Sequence, residues 1–514
     1  MNQNRHISNN NMTHLHCHTY ISNIRLIDCI IKPEELINKA VELGNKGVAI
    51  TDHEALSAHV QALLYVKEGK EKGVIPKDFK LILGNEIYLV DEIKEYEENR
   101  WCDNYYHFIL LAKDKKGHEQ LRKLSSIAWS ENYHRTNKIA ERVPTLKQNL
   151  IDIIGEEKGH LIASSACLGG ELGKILIAIK NLEEQEYDNF GILTKEESEE
   201  LKQDSINKQK EKLNSFLDFC QDMFGEDFYL EMQPNEFEDQ IYVNKKILEI
   251  SRERNIKFIT TCDCHYLNKE DRIIHEAFLK SKEEDRELDN FYDTTYMMNC
   301  EEIHSFLDNV IGYDNVNLSL NNTLEITNKI EEYDLYHDQI VPKIPLGEFE
   351  LHHYFKDKYE KYDYIKNFAY SDNEYDRYFL YLIENGWKKK EWNALLTEEK
   401  YDEMCERLNL EFEAIWESSI RINDHISSYY ITALEIVNMM WDDDGGDSFV
   451  GCSRGSIACF YTAYLIGLQQ INPMKFNIPY WRHLHASRPE MPDFIMIFYN
   501  FIFFVESLLL ARYE

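Results

Sequence analysis

Two histidines near the start of the chain have the spacing of a metal-binding pair. His16 and His18 are two residues apart, so in an extended segment both imidazoles point to the same face. Paired imidazoles of this kind are ready ligands for a divalent metal ion. Two further candidate groups, Asp52-His53 and Asp263-Cys264-His265, each follow a short β-branched run. These residue types together indicate metal chemistry.

Three other short apolar runs also have a metal-capable side chain beside them. In chain order, these side chains are Glu86, His107 and Cys167, and the runs are residues 81–83, 108–111 and 161–163. Glu86 and Cys167 follow their runs, whereas His107 precedes its run. Candidate ligands therefore recur at successive strand ends.

The elements that must position these side chains are alternating helices and strands. Lys32-Pro33-Glu34-Glu35 opens a helix, with proline near its first position and acidic residues in its first turn. The following run, Gly47 to Thr51, is typical of a buried strand. The repeated alternation favours a parallel sheet or barrel. In a parallel barrel the strand ends of one polarity meet at one rim, so residues distant in sequence can surround one metal cluster.

Each signal taken alone has a simpler explanation. A histidine beside a strand usually forms a hydrogen bond within a core or turn, and a buried cysteine usually only packs. Cys262-Asp263-Cys264-His265 also resembles half of a structural zinc site, but the sequence offers no second CxxC or HxxxH partner. The joint pattern leads us to favour one cluster at the barrel rim.

Composition limits the classes of function. The 514 residues include 91 acidic and 57 basic side chains, a formal net charge of −34, so the surface cannot be one continuous nucleic-acid footprint and any DNA contact must be local. A hydrophobic content of 43% excludes general disorder. The eleven scattered cysteines and the polar start, which lacks a signal-peptide core, are typical of a reducing, cytoplasmic compartment.

The pattern changes along the chain. From about Lys280 the strand signals give way to long helical stretches, so we expect one domain over residues 1–280 and a second over residues 281–493. An apolar tail, residues 494–514, follows. It is close to membrane-spanning length but contains Glu506, and a glutamate at the bilayer centre costs about 2 to 3 kcal/mol or more. We therefore expect no membrane association.

Five short motifs resemble the PHP domain of bacterial-type DNA polymerase III α subunits, the family C polymerases. In chain order they are His14-Leu15-His16-Cys17-His18-Thr19, Ile50-Thr51-Asp52-His53, Gly84-Asn85-Glu86, Ser164-Ser165-Ala166-Cys167-Leu168 and Asp263-Cys264-His265-Tyr266-Leu267. The resemblance covers Met12 to about Asp493. It implies an α/β fold: a distorted PHP-type (β/α) barrel, then a mostly helical segment and an incomplete nucleotidyltransferase palm.

The resemblance also implies a metal site and a reaction. The metal ligands carried over from the family are His16, His18, His53, Glu86, His107, Cys167, Asp263 and His265, with Asp28 as a ninth candidate, and all except Asp28 and Cys167 are the candidate catalytic residues. Such a cluster holds up to three divalent ions and hydrolyses phosphoesters, which in several polymerases is a 3′–5′ exonuclease activity. The mixed ligands suit Zn, Mn or Fe, with Mg as a further candidate, and Glu86 is placed to bridge two ions.

A second motif group resembles the start of the family C palm. Gly451-Cys452-Ser453-Arg454-Gly455-Ser456 resembles its glycine- and serine-containing loop, in which Arg454, Gly455 and Ser456 would face a nucleotide phosphate. The chain departs from the family after Pro492-Asp493, where two alternating metal-binding carboxylates are replaced by Ile495 and Ile497. Because isoleucine cannot bind a metal ion, we expect no DNA synthesis by this chain alone.

The preferred interpretation is the N-terminal part of a replicative polymerase α subunit, with DNA as a local partner and either replisome subunits or a second polymerase fragment as further partners. We expect that the natural sequence is disrupted after Asp493. Two alternatives stay open. One is a stand-alone PHP phosphatase acting on a small phosphate ester, and the other is a non-catalytic scaffold fragment of a split polymerase.

Overall fold

The computed structural model describes residues 12–96, 99–136, 140–155, 157–184, 195–281, 290–336, 340–391, 397–441, 451–452, 455–485 and 487. The chain divides into two compact units, Met1–Leu335 and Tyr336–Glu514. The first unit continues past residue 280, where the sequence predicts the domain boundary. Arg454 and the apolar tail 494–514 lie outside the described residues.

The first unit contains all the described strands and ten α-helices. The strands are β1 Gly47–Ile50, β2 Lys80–Val90, β3 Lys94–Tyr96, β4 Asn99–Trp101, β5 Tyr106–Ala112, β6 His134–Thr136, β7 Ala140–Arg142, β8 Pro144–Leu146, β9 Leu161–Ser164, β10 Phe228–Met232 and β11 Phe258–Thr260. The helices are α1 Pro33–Glu42, α2 His59–Lys72, α3 Lys115–Ile127, α4 Lys147–Ile154, α5 Glu171–Glu184, α6 Lys195–Phe224, α7 Glu238–Arg254, α8 Arg272–Leu279, α9 Cys300–Ile311 and α10 Tyr313–Lys329. The predicted alternation of helices and strands is confirmed.

The main sheet has seven strands in the order β1-β2-β5-β9-β10-β11, and β8 pairs with β2. The pairs β1–β2, β9–β10 and β10–β11 are parallel, whereas β5 is antiparallel to both β2 and β9. The sequence predicts a parallel sheet or barrel, and β5 is the antiparallel exception among these pairs. Because β5 runs in the opposite direction, its first residues lie at the same edge as the last residues of its neighbours.

An irregular segment from His14 to His18 joins the two ends of this sheet. On one side, the amide of Ala49 donates to the carbonyl of His14 and that of Thr51 to the carbonyl of Cys17, both at 2.8 Å. On the other side, His18 N–H donates to the carbonyl of Cys264 at 2.9 Å. The curled sheet thus gains hydrogen bonds at both of its edges, as the barrel-like fold predicted from the sequence requires.

Side chains on the two faces of the strands form two separate cores. Ala49, Ile82, Ile109, Ile162 and Ile259 point into the curled sheet and form one buried cluster. Their neighbours along each strand pack outward against the helices. Strands buried on both faces read as continuous apolar runs, which is why the sequence shows them clearly.

Helix α10 completes the first unit. Ile326 in this helix and Ile330 directly after it belong to the interior cluster of the sheet. The backbone amide of Thr13 donates to Thr323 Oγ1 at 2.9 Å, and Asn322 Nδ2 donates to the carbonyl of Phe258 at 2.8 Å. These contacts explain why the compact unit extends to Leu335.

The described part of the second unit is helical, as the sequence predicts. Its helices are α11 Asp363–Ala369, α12 Glu374–Lys390, α13 Glu398–Ile422, α14 Ser427–Trp441 and α15 Tyr461–Ile466. Phe368, Phe379 and Phe412 lie at its centre. Gly386 lets α12 approach α15, because a Cβ atom there would overlap the carbonyl of Leu465. No helix in the described ranges of either unit is long and apolar enough to cross a membrane.

Two buried histidines make the stability of the first unit depend on pH. His59 Nδ1 lies 3.0 Å from His118 Nε2, and His59 Nε2 lies 3.0 Å from the carbonyl oxygen of Gly84. Burial, with a contribution from the neighbouring His118, lowers the pKa of His59 to about 3. Burial also lowers the pKa of His118 to about 4. The folded state therefore holds both imidazoles neutral.

We expect the free energy of unfolding to fall as the pH drops from about 6.5 toward about 4, because only the unfolded chain gains protons there. Each histidine contributes a slope of at most about 1.4 kcal/mol per pH unit. His118→Gln should reduce this slope, measured by urea unfolding in the presence of a chelator. His160→Gln, at a more exposed histidine, is the control, and an unchanged slope in His118→Gln would contradict the assignment.

Candidate metal centre

The fold brings the nine sequence-predicted metal ligands together at one edge of the sheet. His16 and His18 lie on the joining segment, Asp28 precedes α1, His53 follows β1, Glu86 lies within β2, His107 lies at the start of β5, Cys167 follows β9, and Asp263 and His265 follow β11. The reversed direction of β5 is what places His107 at this edge.

Glu86 is at the centre of the cluster. Its Oε2 lies 3.1 Å from His18 Nε2, 3.4 Å from His16 Nε2 and 2.9 Å from His53 Nδ1. Its Oε1 lies 2.5 Å from His107 Nδ1. The two carboxylate oxygens therefore face two different groups of donors, which is the geometry of a bridging ligand.

Two aspartates occupy the other sides of the cluster. Asp263 Oδ1 lies 3.0 Å from His18 Nε2 and 3.2 Å from His16 Nε2. Asp28 Oδ2 lies 2.9 Å from His53 Nε2 and 3.3 Å from His265 Nε2. The ninth candidate, Asp28, thus lies among the other eight.

The donor atoms form three overlapping sets whose members lie within 4.8 Å of one another. The sets are His16, His18 and Glu86; His18, His53 and His265; and Glu86, His107 and Cys167. Nearly every member is fully buried, but the His107 side chain is 27% exposed. The cluster therefore reaches solvent beside His107.

Charge is balanced within this buried cluster by mutual interactions. Burial opposes ionisation of Glu86, yet His107, His53 and His16 hold its pKa well below the usual value. Burial likewise disfavours a charged His16, but Asp263, Glu231 and Glu86 raise its pKa well above the usual value. Without cations the carboxylates can be neutralised only by protonated histidines, so the cluster favours the binding of positive charge.

Two orphaned carboxylate oxygens provide a direct test of whether metal ions suit this site. Asp28 Oδ1 and Glu86 Oε1 are buried and have no hydrogen-bond donor in good geometry among the described residues. The 2.5 Å approach of His107 Nδ1 to Glu86 Oε1 is not aligned as a hydrogen bond. Unpaired buried carboxylate oxygens are costly, and a bound cation removes that cost. The donor set fits divalent metal ions.

Glu231 is a residue at this site that the sequence analysis does not assign. Its Oε1 accepts a hydrogen bond from His16 Nδ1 at 2.7 Å, and its carboxylate also accepts from Ser164 Oγ at 2.6 Å and Thr261 Oγ1 at 2.7 Å. The contact fixes the proton of His16 on Nδ1 and turns the Nε2 lone pair into the cluster. Carboxylates in this position orient metal-binding histidines. A glutamate inside the buried strand β10 is the one sequence signal that could have revealed it.

Two further histidines are oriented in the same way. His265 Nδ1 donates to the backbone carbonyl of Asp263 at 2.7 Å. His18 Nδ1 donates to Ser22 Oγ at 3.3 Å, and this hydroxyl donates in turn to Asp52 Oδ1 at 2.8 Å. In both imidazoles Nε2 is left facing the cluster. Asp52, beside the candidate ligand His53, thus helps to orient His18 through the Ser22 hydroxyl.

The predicted nucleotide-binding loop lies in the second unit. Gly455 has a φ angle of +73°, which favours glycine. Ser456 Oγ lies 2.9 Å from His483 Nδ1, and His483 Nε2 lies 3.1 Å from the Tyr430 hydroxyl. The Ser456 hydroxyl is therefore engaged within the fold, and Arg454 is outside the described residues. A role for these three residues with a phosphate stays a prediction.

Comparison with known proteins identifies both parts of the chain. Residues 14–235 match the PHP domain, and residues 377–499 match the bacterial DNA polymerase III alpha NTPase domain. Most of the first unit is therefore matched by the PHP domain.

Curated relatives extend the match along most of the chain. The "DNA-directed DNA polymerase" of Bacillus phage SPbeta is 44% identical over 93% of this chain and 36% of its own length, and the "Probable DNA polymerase YorL" of Bacillus subtilis gives the same values. The DNA polymerase III subunit alpha of Aquifex aeolicus is 28% identical over 93% of this chain and 35% of its own length. The chain thus spans about a third of the length of these relatives.

Among solved structures, an amidohydrolase from Chromobacterium violaceum is 12% identical over 49% of this chain and 87% of its own, with a TM-score of 0.26, a value too low to support any conclusion. The chain thus carries a PHP domain and a segment matching the polymerase III alpha NTPase domain, and it is similar to DNA polymerase III alpha subunits over about a third of their length.

We expect Glu231→Gln to weaken metal binding by roughly 10-fold to 100-fold, because the amide group would point an N–H at the surrounding donors and would no longer fix His16. The measurement is the affinity for Mn²⁺ or Zn²⁺ by calorimetry on the refilled apoprotein. Glu325→Gln, which removes an exposed carboxylate paired with Lys257, is the matched control. Equal affinities in the two variants would show that Glu231 has no orienting role.

Proposed function

We propose that the PHP domain binds divalent metal ions through these nine residues and hydrolyses DNA phosphodiesters from the 3′ end. The observation that carries the proposal is the convergence of three further carboxyl or thiol ligands and five imidazoles around Glu86. Two carboxylate oxygens of the cluster have no hydrogen-bond donor in good geometry among the described residues. Buried carboxylate oxygens are usually hydrogen-bonded, so oxygens without an aligned donor inside a cluster of metal-capable groups favour a bound cation.

The residues divide into three places for metal ions. Glu86 belongs to two of the donor sets and has two carboxylate oxygens, so it would be shared between neighbouring ions. His18 also belongs to two sets, but its one free nitrogen, Nε2, would bind a single ion. Bound divalent ions of this kind lower the pKa of water and stabilise negative charge on phosphate oxygens. The mixture of imidazole, carboxylate and one thiolate suits Zn²⁺, Mn²⁺ or Fe²⁺ better than Mg²⁺.

The chain itself supplies orientation and access. Glu231, Ser22 and the carbonyl of Asp263 each hold the proton of one imidazole on Nδ1. The Nε2 atoms of these three imidazoles therefore need no rearrangement before metal ions bind. Tyr88 stacks on His107 with ring centroids 4.8 Å apart and an interplanar angle of 17°, which holds this ring at the exposed side. A DNA end would approach beside His107, where the cluster meets solvent.

The expected result is Mn²⁺-dependent shortening of a 5′-labelled single-stranded oligonucleotide from its 3′ end. His16→Ala should abolish this activity, because it removes an imidazole whose Nε2 faces both Glu86 and Asp263. His160→Ala, at a histidine paired with Asp114 outside the cluster, should keep the activity. A wild-type protein that holds metal but leaves the oligonucleotide intact would favour the scaffold alternative. Hydrolysis of p-nitrophenyl phosphate alone would favour the small-molecule phosphatase.

We infer further that this chain alone does not synthesise DNA, because Ile495 and Ile497 stand where family C polymerases carry metal-binding carboxylates. Primer extension with the purified chain should therefore yield no product, whereas extension would contradict the inference.

Cytoplasmic location, DNA contact and association with replisome subunits or a second polymerase fragment are part of this proposal, and the resemblance to polymerase III α subunits supports them.

A further inference from the structure

A second group of metal-capable side chains lies next to the candidate metal centre but shares no residue with it. The ligand atoms of His14, Cys17 and Cys264 lie within 4.8 Å of one another. All three side chains are completely buried. Cys17 stands between His16 and His18 in sequence and Cys264 between Asp263 and His265, yet both thiols group with His14 and not with those ligands.

His14 is held in the orientation of a metal ligand. Its Nε2 lies 3.0 Å from the backbone carbonyl of Met298, an acceptor only, so Nε2 carries the proton and donates. Nδ1 is then unprotonated, and its lone pair faces the Cys264 thiol at 4.0 Å. A backbone carbonyl that fixes the tautomer of the imidazole is the usual partner of a metal-binding histidine.

Cys262 supplies a fourth donor. It lies two residues before Cys264, its side chain is 3% exposed, and it belongs to the same buried core cluster as Cys17 and Cys264. The set is then one imidazole and three thiols from two segments about 250 residues apart in sequence. The sequence analysis leaves the Cys262-to-His265 run without a partner for a zinc site, and the fold provides that partner in His14 and Cys17.

Two simpler explanations account for less. Packing of buried cysteines explains apolar surroundings, but it does not require an imidazole lone pair aimed at the thiols. A Cys17–Cys264 disulfide would use the neighbouring positions of these residues across a parallel bridge, but it would leave His14 and Cys262 without a role.

We propose that His14, Cys17, Cys262 and Cys264 form a tetrahedral Zn²⁺ site separate from the phosphoesterase centre. Donor atoms around a four-coordinate zinc ion are roughly 3.5 to 3.8 Å apart, from the usual Zn–N and Zn–S lengths. The ligand atoms of His14, Cys17 and Cys264 lie within 4.8 Å of one another before any ion is bound. Three thiolates and one imidazole with no open position are typical of a structural zinc site.

A zinc ion at this site would link the segment from His14 to His18 to the residues that follow β11, where the two edges of the curled sheet meet. Cys17 and Cys264 belong to the segments that exchange the hydrogen bonds His18 N to Cys264 O and Cys264 N to His16 O, at 2.9 and 3.1 Å. These same segments carry four of the candidate catalytic ligands. The zinc ion would therefore position the phosphoesterase centre without touching its substrate.

Cobalt spectroscopy on the full chain tests the proposal without altering the new site. Cys167→Ser removes the single thiol of the phosphoesterase centre, so any thiolate-to-cobalt charge transfer after Co²⁺ loading must come from elsewhere. We expect this near-ultraviolet band, with the strong visible bands of tetrahedral cobalt, to persist in Cys167→Ser. Its absence from the Cys167→Ser protein would overturn the proposal, whatever the activity of the phosphoesterase centre.

A metal count separates the new site from adventitious thiol binding. In the Cys167→Ser background, adding Cys17→Ser and Cys264→Ser should abolish the charge-transfer band and lower tightly bound zinc by one equivalent per chain. Cys220→Ser, at another buried cysteine of the first unit, should change neither. An unchanged zinc count in the double substitution, or a Cys17–Cys264 disulfide found by alkylating the denatured protein, would also overturn the proposal.

Discussion

The crowding of carboxylates and imidazoles at one buried edge of the sheet is the constraint on which the first unit depends. Asp28, Glu86, Glu231 and Asp263 are all buried, and such charges are expensive unless they are paired. The protein alone pairs them with histidines, and among the described residues no donor is aligned for a hydrogen bond with Asp28 Oδ1 or Glu86 Oε1. The edge is therefore arranged for cations, and the surrounding helices and strands serve to hold those side chains against their own repulsion.

Closure of the sheet by the segment His14 to His18 is the structural condition for that arrangement. The segment bonds to β1 on one side and to the residues after β11 on the other. Without these hydrogen bonds, His16 and His18 would lie on an unpaired segment, and their ligand atoms would become ordered only when metal ions bind. Hydrogen bonds from both edges supply that order in advance.

Much of this could be predicted from the sequence, and the exceptions have physical reasons. The strands are buried on both faces and give continuous apolar runs, so their ends, and hence His53, Cys167 and Asp263, could be placed. The direction of β5 could not be predicted, because an apolar run has the same pattern in either direction. The sequence therefore offers no reason why His107 precedes its strand when the other candidate ligands follow theirs. Glu231 was missed because a single glutamate in a buried strand indicates a polar partner but does not identify that partner as His16.

The cluster of His14 with three cysteines shows the limit more clearly. A zinc site read from sequence needs its ligands in two short motifs, whereas here the ligands of two sites alternate along the same two segments. His16 and His18 group with one site and His14 and Cys17 with the other, and the neighbouring residues Cys264 and His265 are divided in the same way. Because a metal ion that binds only the folded state stabilises it by mass action, ions at either site would order the shared backbone for the other. Interleaved ligands therefore couple the stability of the sheet closure to the occupancy of the phosphoesterase centre.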